Sequence, residues 1–291
     1  MEPTDRTAAR VALPLAAARL AELLRRSDPD APVAGSDWRV ADVATHLGFV
    51  LQGFTEAATG SSARFARYVP DEPDFHHRLA TVNAALIREF TETATDLDQT
   101  EPPSGIEHRI EQRIEQGIAG FLEATEALAP DVQLETPWYG PGVTRTPDTL
   151  TALALGELLV HGLDIARTSR APWPIERADA AVVAREVFAR MLPLMLSDTG
   201  RAATVSYRIS FRGTPRGTPD LVVRLDAGTV TTGPAAPGER VDCRIWADPV
   251  AFLLVGYGRT PTWRQALAGR IVAFGRRPWI AARLPQLFCR P

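Results

Sequence analysis

Glu157, His161 and Asp164 interrupt GELLVHGLDIA (156–166), a stretch otherwise built of Gly, Leu, Val, Ile and Ala. On an α-helix each residue turns by about 100°, so the three polar side chains share one face. Leu153, Leu155, Leu158, Leu159, Val160, Leu163 and Ile165 cover almost every other direction, which marks the helix as central and buried. A buried carboxylate without a partner costs several kcal/mol, so Glu157 demands a counter-charge, a metal or a wet cleft. A Glu and a His four residues apart can reach one cation.

A catalytic divalent ion needs a third protein ligand, and His46 is the best placed. In VADVATHLGFVL its neighbours Val40, Val43, Leu47 and Val50 make a core face, so its ring should point inward. His76 and His77, beside Glu72 and Asp74, read as solvent-facing or capping residues. His108 in IEHRIEQR reads as a surface residue. Spacing alone leaves two readings: a His46, Glu157, His161 metal site with an open coordination position, or a buried Glu and His hydrogen-bond network.

The elements that must position these residues are helical for two-thirds of the chain. Apolar residues at intervals of three and four predict helices over 5–27, with Pro14 as a kink or the true start, over 39–57 with Ser36 or Asp37 as cap, and over 74–97. A fourth, over 106–128, carries Ile106, Ile110, Ile114 and Ile118 as a core stripe. The breaker-rich loop TPWYGPGVTRTPD (136–148) precedes the Glu157 helix, and a further helix covers 175–197. After about residue 200 the period becomes two. VSYRISFRG, DLVVRLDAG, GTVTTG and RVDCRIWAD read as strands, and PVAFLLVGYG and WRQALAGR as short helices. The expected fold class is an all-α unit followed by a smaller α+β domain.

Composition narrows the function. A formal net charge of −3 over 291 residues gives no excess of positive charge for nucleic acid. No run of about 18 apolar residues suggests a membrane span, so a cytoplasmic protein without a membrane partner is expected. Cys243 and Cys289 match no metal or redox spacing and read as structural thiols. All 32 basic residues are Arg, which excludes Schiff-base and phosphate-loop lysines and fits a GC-rich, actinobacterial type of genome.

Trp38 followed by VADVATHL, and the E-x-x-x-H-G-x-D segment at Glu157, His161, Gly162 and Asp164, resemble the mycothiol-dependent maleylpyruvate isomerase family. The resemblance implies a DinB-like four-helix bundle that binds zinc or another divalent metal over 1–170, and a connecting helix over 171–200. It further implies a sterol-carrier-like α+β domain with a mostly antiparallel sheet over 201–291. Carried across, His46, Glu157 and His161 match the metal ligands. Asp164 either orients an imidazole or makes a structural hydrogen bond, and Asp42 either does the same for His46 or is a solvated acid on the helix face. Mycothiol would act as the nucleophile toward a small electrophilic substrate, in isomerisation or in S-transfer. Arg259 in GYGR, then Arg270, are the candidates for substrate carboxylates. Trp138, Tyr139 and Arg145 in the loop before the Glu157 helix are candidate contacts for substrate or thiol. The chain is longer than the family's isomerases, with DEPDFHHRL as a candidate insertion. A monomer or weak dimer is expected. The alternative is a non-catalytic module that binds an apolar ligand beside a structural or regulatory metal site.

Overall fold

A computed structural model describes residues 3–72, 75–97, 104–215 and 217–289. The chain divides into two compact units, Met1–Pro174 and Ile175–Pro291. Asp74, read above as a neighbour of His76, lies outside the described residues, as do the side chains of His76, Ile106, His108 and Ile110.

The first unit is helical: α1 (Pro3–Leu24), α2 (Val40–Ala58), α3 (Phe75–Leu97), α4 (Ser104–Glu126) and α5 (Pro147–Thr168). α2 packs on α4 and α5, α1 packs on α4 and α5, and α3 lies against α2. Leu13, Leu20, Leu47, Leu51, Ile114, Phe121, Leu155 and Leu158 fill the space between them. α1 runs through Pro14 without a break, so Pro14 does not mark the helix start. Pro14 is exposed, so water reaches the backbone carbonyl that its missing N–H leaves without a helical partner. α2 begins after Arg39 rather than at Ser36 or Asp37.

Between α4 and α5 the chain makes a two-residue hairpin, β1 (Leu134–Glu135) with β2 (Thr144–Arg145), around a short turn at Pro137–Tyr139. α5 then starts sharply. The Thr146 hydroxyl accepts the Thr149 N–H at 3.2 Å, Pro147 occupies the first turn, and buried Asp148 lies 3.2 Å from Arg6. Among the described residues α5 alone is long and apolar enough to cross a membrane by length and composition, but it is mostly buried among its neighbours.

The second unit holds α6 (Arg177–Met191), α7 (Asp198–Arg201), β3 (Thr204–Phe211), β4 (Leu221–Asp226), β5 (Thr229–Pro234), β6 (Cys243–Ala247), α8 (Pro249–Gly256), α9 (Thr262–Leu267) and β7 (Ile271–Phe274). The sheet order is β5-β4-β3-β6-β7, antiparallel except for the parallel pair β3 and β6. Tyr207, Ile209 and Phe211 point inward with Cys243, Ile245 and Ala247, and α6 packs on α8. The period-two reading located β3 to β6 but missed β7. IVAF, between Gly269 and Gly275, is too short to display alternation.

Candidate metal centre

His46 reaches the site from α2 and Glu157 and His161 from α5, two helices that pack together. His46 Nε2 lies 3.4 Å and His161 Nε2 3.2 Å from the same oxygen, Glu157 Oε2. Ligand atoms of the three residues all lie within 4.8 Å of one another. Two imidazole nitrogens and a carboxylate oxygen are a donor set that suits zinc and related divalent ions. Ligand atoms about 2.0–2.1 Å from a tetrahedral ion stand about 3.3 Å apart, whereas a good hydrogen bond would draw them to about 2.9 Å. The 3.4 and 3.2 Å separations from Glu157 are close to the first value, and together with the donor set they fit an ion.

The side chains are 8% exposed at His46, 15% at His161 and 22% at Glu157. The site is therefore largely enclosed, with Glu157 its most exposed member. Burial pushes the His46 imidazolium down, further than Glu157 holds it up. Burial acts the same way on His161, but the Asp164 and Glu157 carboxylates outweigh it and hold that ring up to about 9. Burial raises Glu157, yet the two facing histidines keep it well below the usual carboxylate range. The group is thus poised as an anion between two imidazoles.

Asp164, buried one turn on, sets Oδ2 3.3 Å from His161 Nδ1, behind the nitrogen that does not face Glu157. Asp42 does something else. Its Oδ2 accepts the Arg39 backbone N–H at 2.8 Å and closes the first turn of α2. The other expected contacts divide similarly. Trp138 is buried between Phe54 and Phe65, with ring centroids at 5.9 and 5.6 Å, so it packs the core. Tyr139 is also buried and stacks on Phe75, and its hydroxyl is pushed up by burial and then by the Glu157 charge. Arg145 lies 5.5 Å over the Tyr139 ring and donates to the Thr144 carbonyl at 2.6 Å. Arg259 and Arg270 belong to the second unit. Arg259 donates to the Tyr257 carbonyl at the end of α8, and Arg270 is exposed after α9. His77 is exposed as expected.

Two residues that the sequence marked only as members of the motifs gain a role from their contacts. The Trp38 ring stands 5.1 Å from His46 and 6.2 Å from His161, nearly parallel to the latter at 27°, and walls the triad. Its position eight residues before His46 was the available signal. Gly162, between His161 and Leu163, faces Trp173, whose indole N–H donates to the Leu159 carbonyl at 2.9 Å. A Cβ at Gly162 would overlap the Trp173 ring.

Fold and site together define a helical unit carrying a His, Glu, His donor set, followed by a unit built on a mostly antiparallel sheet. The family model for the mycothiol maleylpyruvate isomerase N-terminal domain matches residues 13–166, and the chain belongs to that family. Among solved structures, the chain is similar to the crystal structure of the mycothiol-dependent maleylpyruvate isomerase, with 14% identity, TM-score 0.50, and 92% of this chain and 95% of that chain covered. A histidine-to-alanine mutant of that isomerase gives 13% identity, TM-score 0.49 and the same coverage. A stereoselective inverting sec-alkylsulfatase from Pseudomonas sp. covers 50% of this chain and 25% of its own, at 12% identity and TM-score 0.33. No curated protein matches at a significant level.

Proposed function

We propose that this protein is a divalent-metal enzyme, zinc being the ion its donor set suits best, that uses mycothiol as a nucleophile toward a small electrophilic substrate. The observation that carries this reading is the convergence of His46 Nε2 and His161 Nε2 on Glu157 Oε2 beside a partly open face. Family membership supplies the thiol. In this reading the helical unit is a DinB-like four-helix bundle, the second unit is a sterol-carrier-like domain, and the protein works in the cytoplasm.

A divalent ion, which His46, Glu157 and His161 would hold once His161 gives up its proton, would lower the pKa of an incoming thiol and favour its anion at neutral pH. The chain's own residues prepare the site. Asp164 faces the His161 ring at Nδ1, Trp38 packs against both imidazoles, and Tyr139 and Arg145 are assigned as contacts for the thiol or substrate. The thiolate sulfur would add to one carbon of an electron-poor C=C bond, forming a C–S bond while the π pair moves onto the conjugated carbonyl as an enolate. Rotation about the resulting single bond and return of that pair would expel the thiolate and leave the trans alkene, whereas protonation of the enolate carbon by solvent would leave a stable thioether adduct. No nucleophilic side chain is required, in keeping with the absence of lysine and with a buried Cys243. Arg259, ahead of Arg270, is assigned to a substrate carboxylate.

The test has two arms. Metal analysis of the purified protein should give one ion per chain, lost in His161→Ala and in His46→Ala. Full retention in either variant overturns the ligand set. Incubation of the metal-loaded protein with mycothiol and maleylpyruvate should yield the trans isomer. Absence of both product and thiol adduct overturns the reaction assignment while leaving the metal site standing.

A further inference from the structure

The whole-chain charge of −3 conceals two units of opposite sign. Residues 175–291 carry 17 Arg against nine Asp and Glu, a formal charge of +8. Residues 1–174 carry 15 Arg against 26 acids, a formal charge of −11. After Asp248 the sequence holds seven Arg and no acid at all.

Among the described residues, that basic stretch also presents five of the second unit's six exposed large apolar side chains, the sixth being Trp246 on β6. β7 is one of the two edge strands of the sheet. On the outer face, Trp246 pairs with Val272 and Arg244 with Phe274 across β6 and β7, and Trp246, Val272 and Phe274 are all exposed. α9 and the turns at Pro278–Gln286 both adjoin β7. They add Trp263 at 59%, Trp279 at 69% and Leu267 at 82% exposure. Arg212 stacks over the Trp246 ring at 4.2 Å, and Arg264 lies over Trp263. Among the described residues Arg244, Arg264, Arg276 and Arg283 make no ion pair.

We propose that the β7 edge, with α9 and the turns at Pro278–Gln286, is a docking surface for an anionic lipid bilayer. Protruding Trp and Leu side chains among unpaired arginines suit the headgroup layer, where indoles and apolar tips settle at the acyl boundary and cations meet lipid phosphates. The core of a protein interface is, by contrast, depleted of charge. The net positive charge of this unit complements the negative surface of the cytoplasmic leaflet, which attracts each basic residue by about 1 kcal/mol. The inference goes beyond the thiol chemistry and holds whether or not the helical unit binds a metal.

The experiment is co-sedimentation of the full-length protein with vesicles of phosphatidylcholine alone, and of a two-to-one mixture of phosphatidylcholine and phosphatidylglycerol. Binding should require phosphatidylglycerol and disappear in high salt. Arg264→Gln and Arg276→Gln should each weaken it about fivefold. Trp263→Ser, Leu267→Ser and Trp279→Ser should weaken it about tenfold or more, with unchanged far-UV circular dichroism as the check that these surface variants fold. Equal binding to neutral vesicles, no binding to either, or binding untouched by these substitutions overturns the proposal. So does a concentration-dependent dimer abolished by the same substitutions, which would assign the surface to a second copy of the chain.

Discussion

Asp164 Oδ2 stands 3.3 Å from His161 Nδ1, while Nε2 of the same ring faces Glu157 Oε2 at 3.2 Å. One imidazole is therefore flanked at both ring nitrogens by carboxylates on its own helix. A carboxylate behind a metal-binding histidine fixes the ring and raises its basicity. Asp164→Asn should weaken zinc binding about 10-fold to 100-fold, measured by competition with a chelator, while the metal-free protein keeps its far-UV spectrum. Unchanged affinity would leave Asp164 with a purely structural role.

Gly162 is the backbone face on which Trp173 rests. Gly162→Ala must displace that ring from the turn carrying His161 and Asp164. The expected cost is about 1–3 kcal/mol in urea unfolding, the range for an overpacked core. A double variant that also shrinks Trp173 to Leu should recover part of the loss, which a simple change of helix propensity would not.

Trp38 lies closer to the histidines than a bystander would. Loading the protein with Co2+ should quench tryptophan emission, and Trp38→Phe should remove the larger part of that quench. Equal quenching in variant and parent would place the ion elsewhere.

Asp242 ties β3 to the segment leading into β6. Its Oδ2 accepts the Ser206 N–H and hydroxyl, both at 3.0 Å, and its Oδ1 lies 3.6 Å from Arg277. Burial raises this carboxyl, but the Ser206 bonds and the Arg277 and Arg276 charges outweigh it, and the net shift is downward. A depressed folded-state pKa contributes stability that is present above the unfolded value of about 3.9 and is lost as pH falls through the folded one. Asp242→Asn should therefore lower the urea midpoint at pH 7, and the gap from the parent should close as pH drops below about 4.

Much of this arrangement was legible because periodicity reports burial. The apolar sweep around Glu157 and His161 announced the central helix, and the valines and leucine around His46 announced an inward ring. Asp42 was open to two readings because a residue four positions from a histidine also sits in the first turn of its helix, where an acid is drawn to the free N–H groups, and its bond to the Arg39 N–H follows the second. Trp138 was read as a contact for ligand because it lies in a loop, yet Phe54 and Phe65 fold that loop inward. Trp38 and Gly162 stood in the motifs that carried the resemblance, but what each packs against, His161 and Trp173, lies elsewhere in the chain. The charge division between the units was open to simple counting, since the expected boundary at residue 170 and the observed one at 174 enclose no charged residue.

His46 and Glu157 are separated by 111 positions in the chain. An ion held between them would act as a removable cross-link, pinning α2 to α5 and closing most of the helical unit into one loop. Occupancy would then be readable as cooperativity: at an ion concentration a hundredfold above its dissociation constant, the folded state gains about 2.7 kcal/mol. Chelation would loosen the scaffold as well as empty the site, so for this geometry catalytic competence and resistance to unfolding share one control.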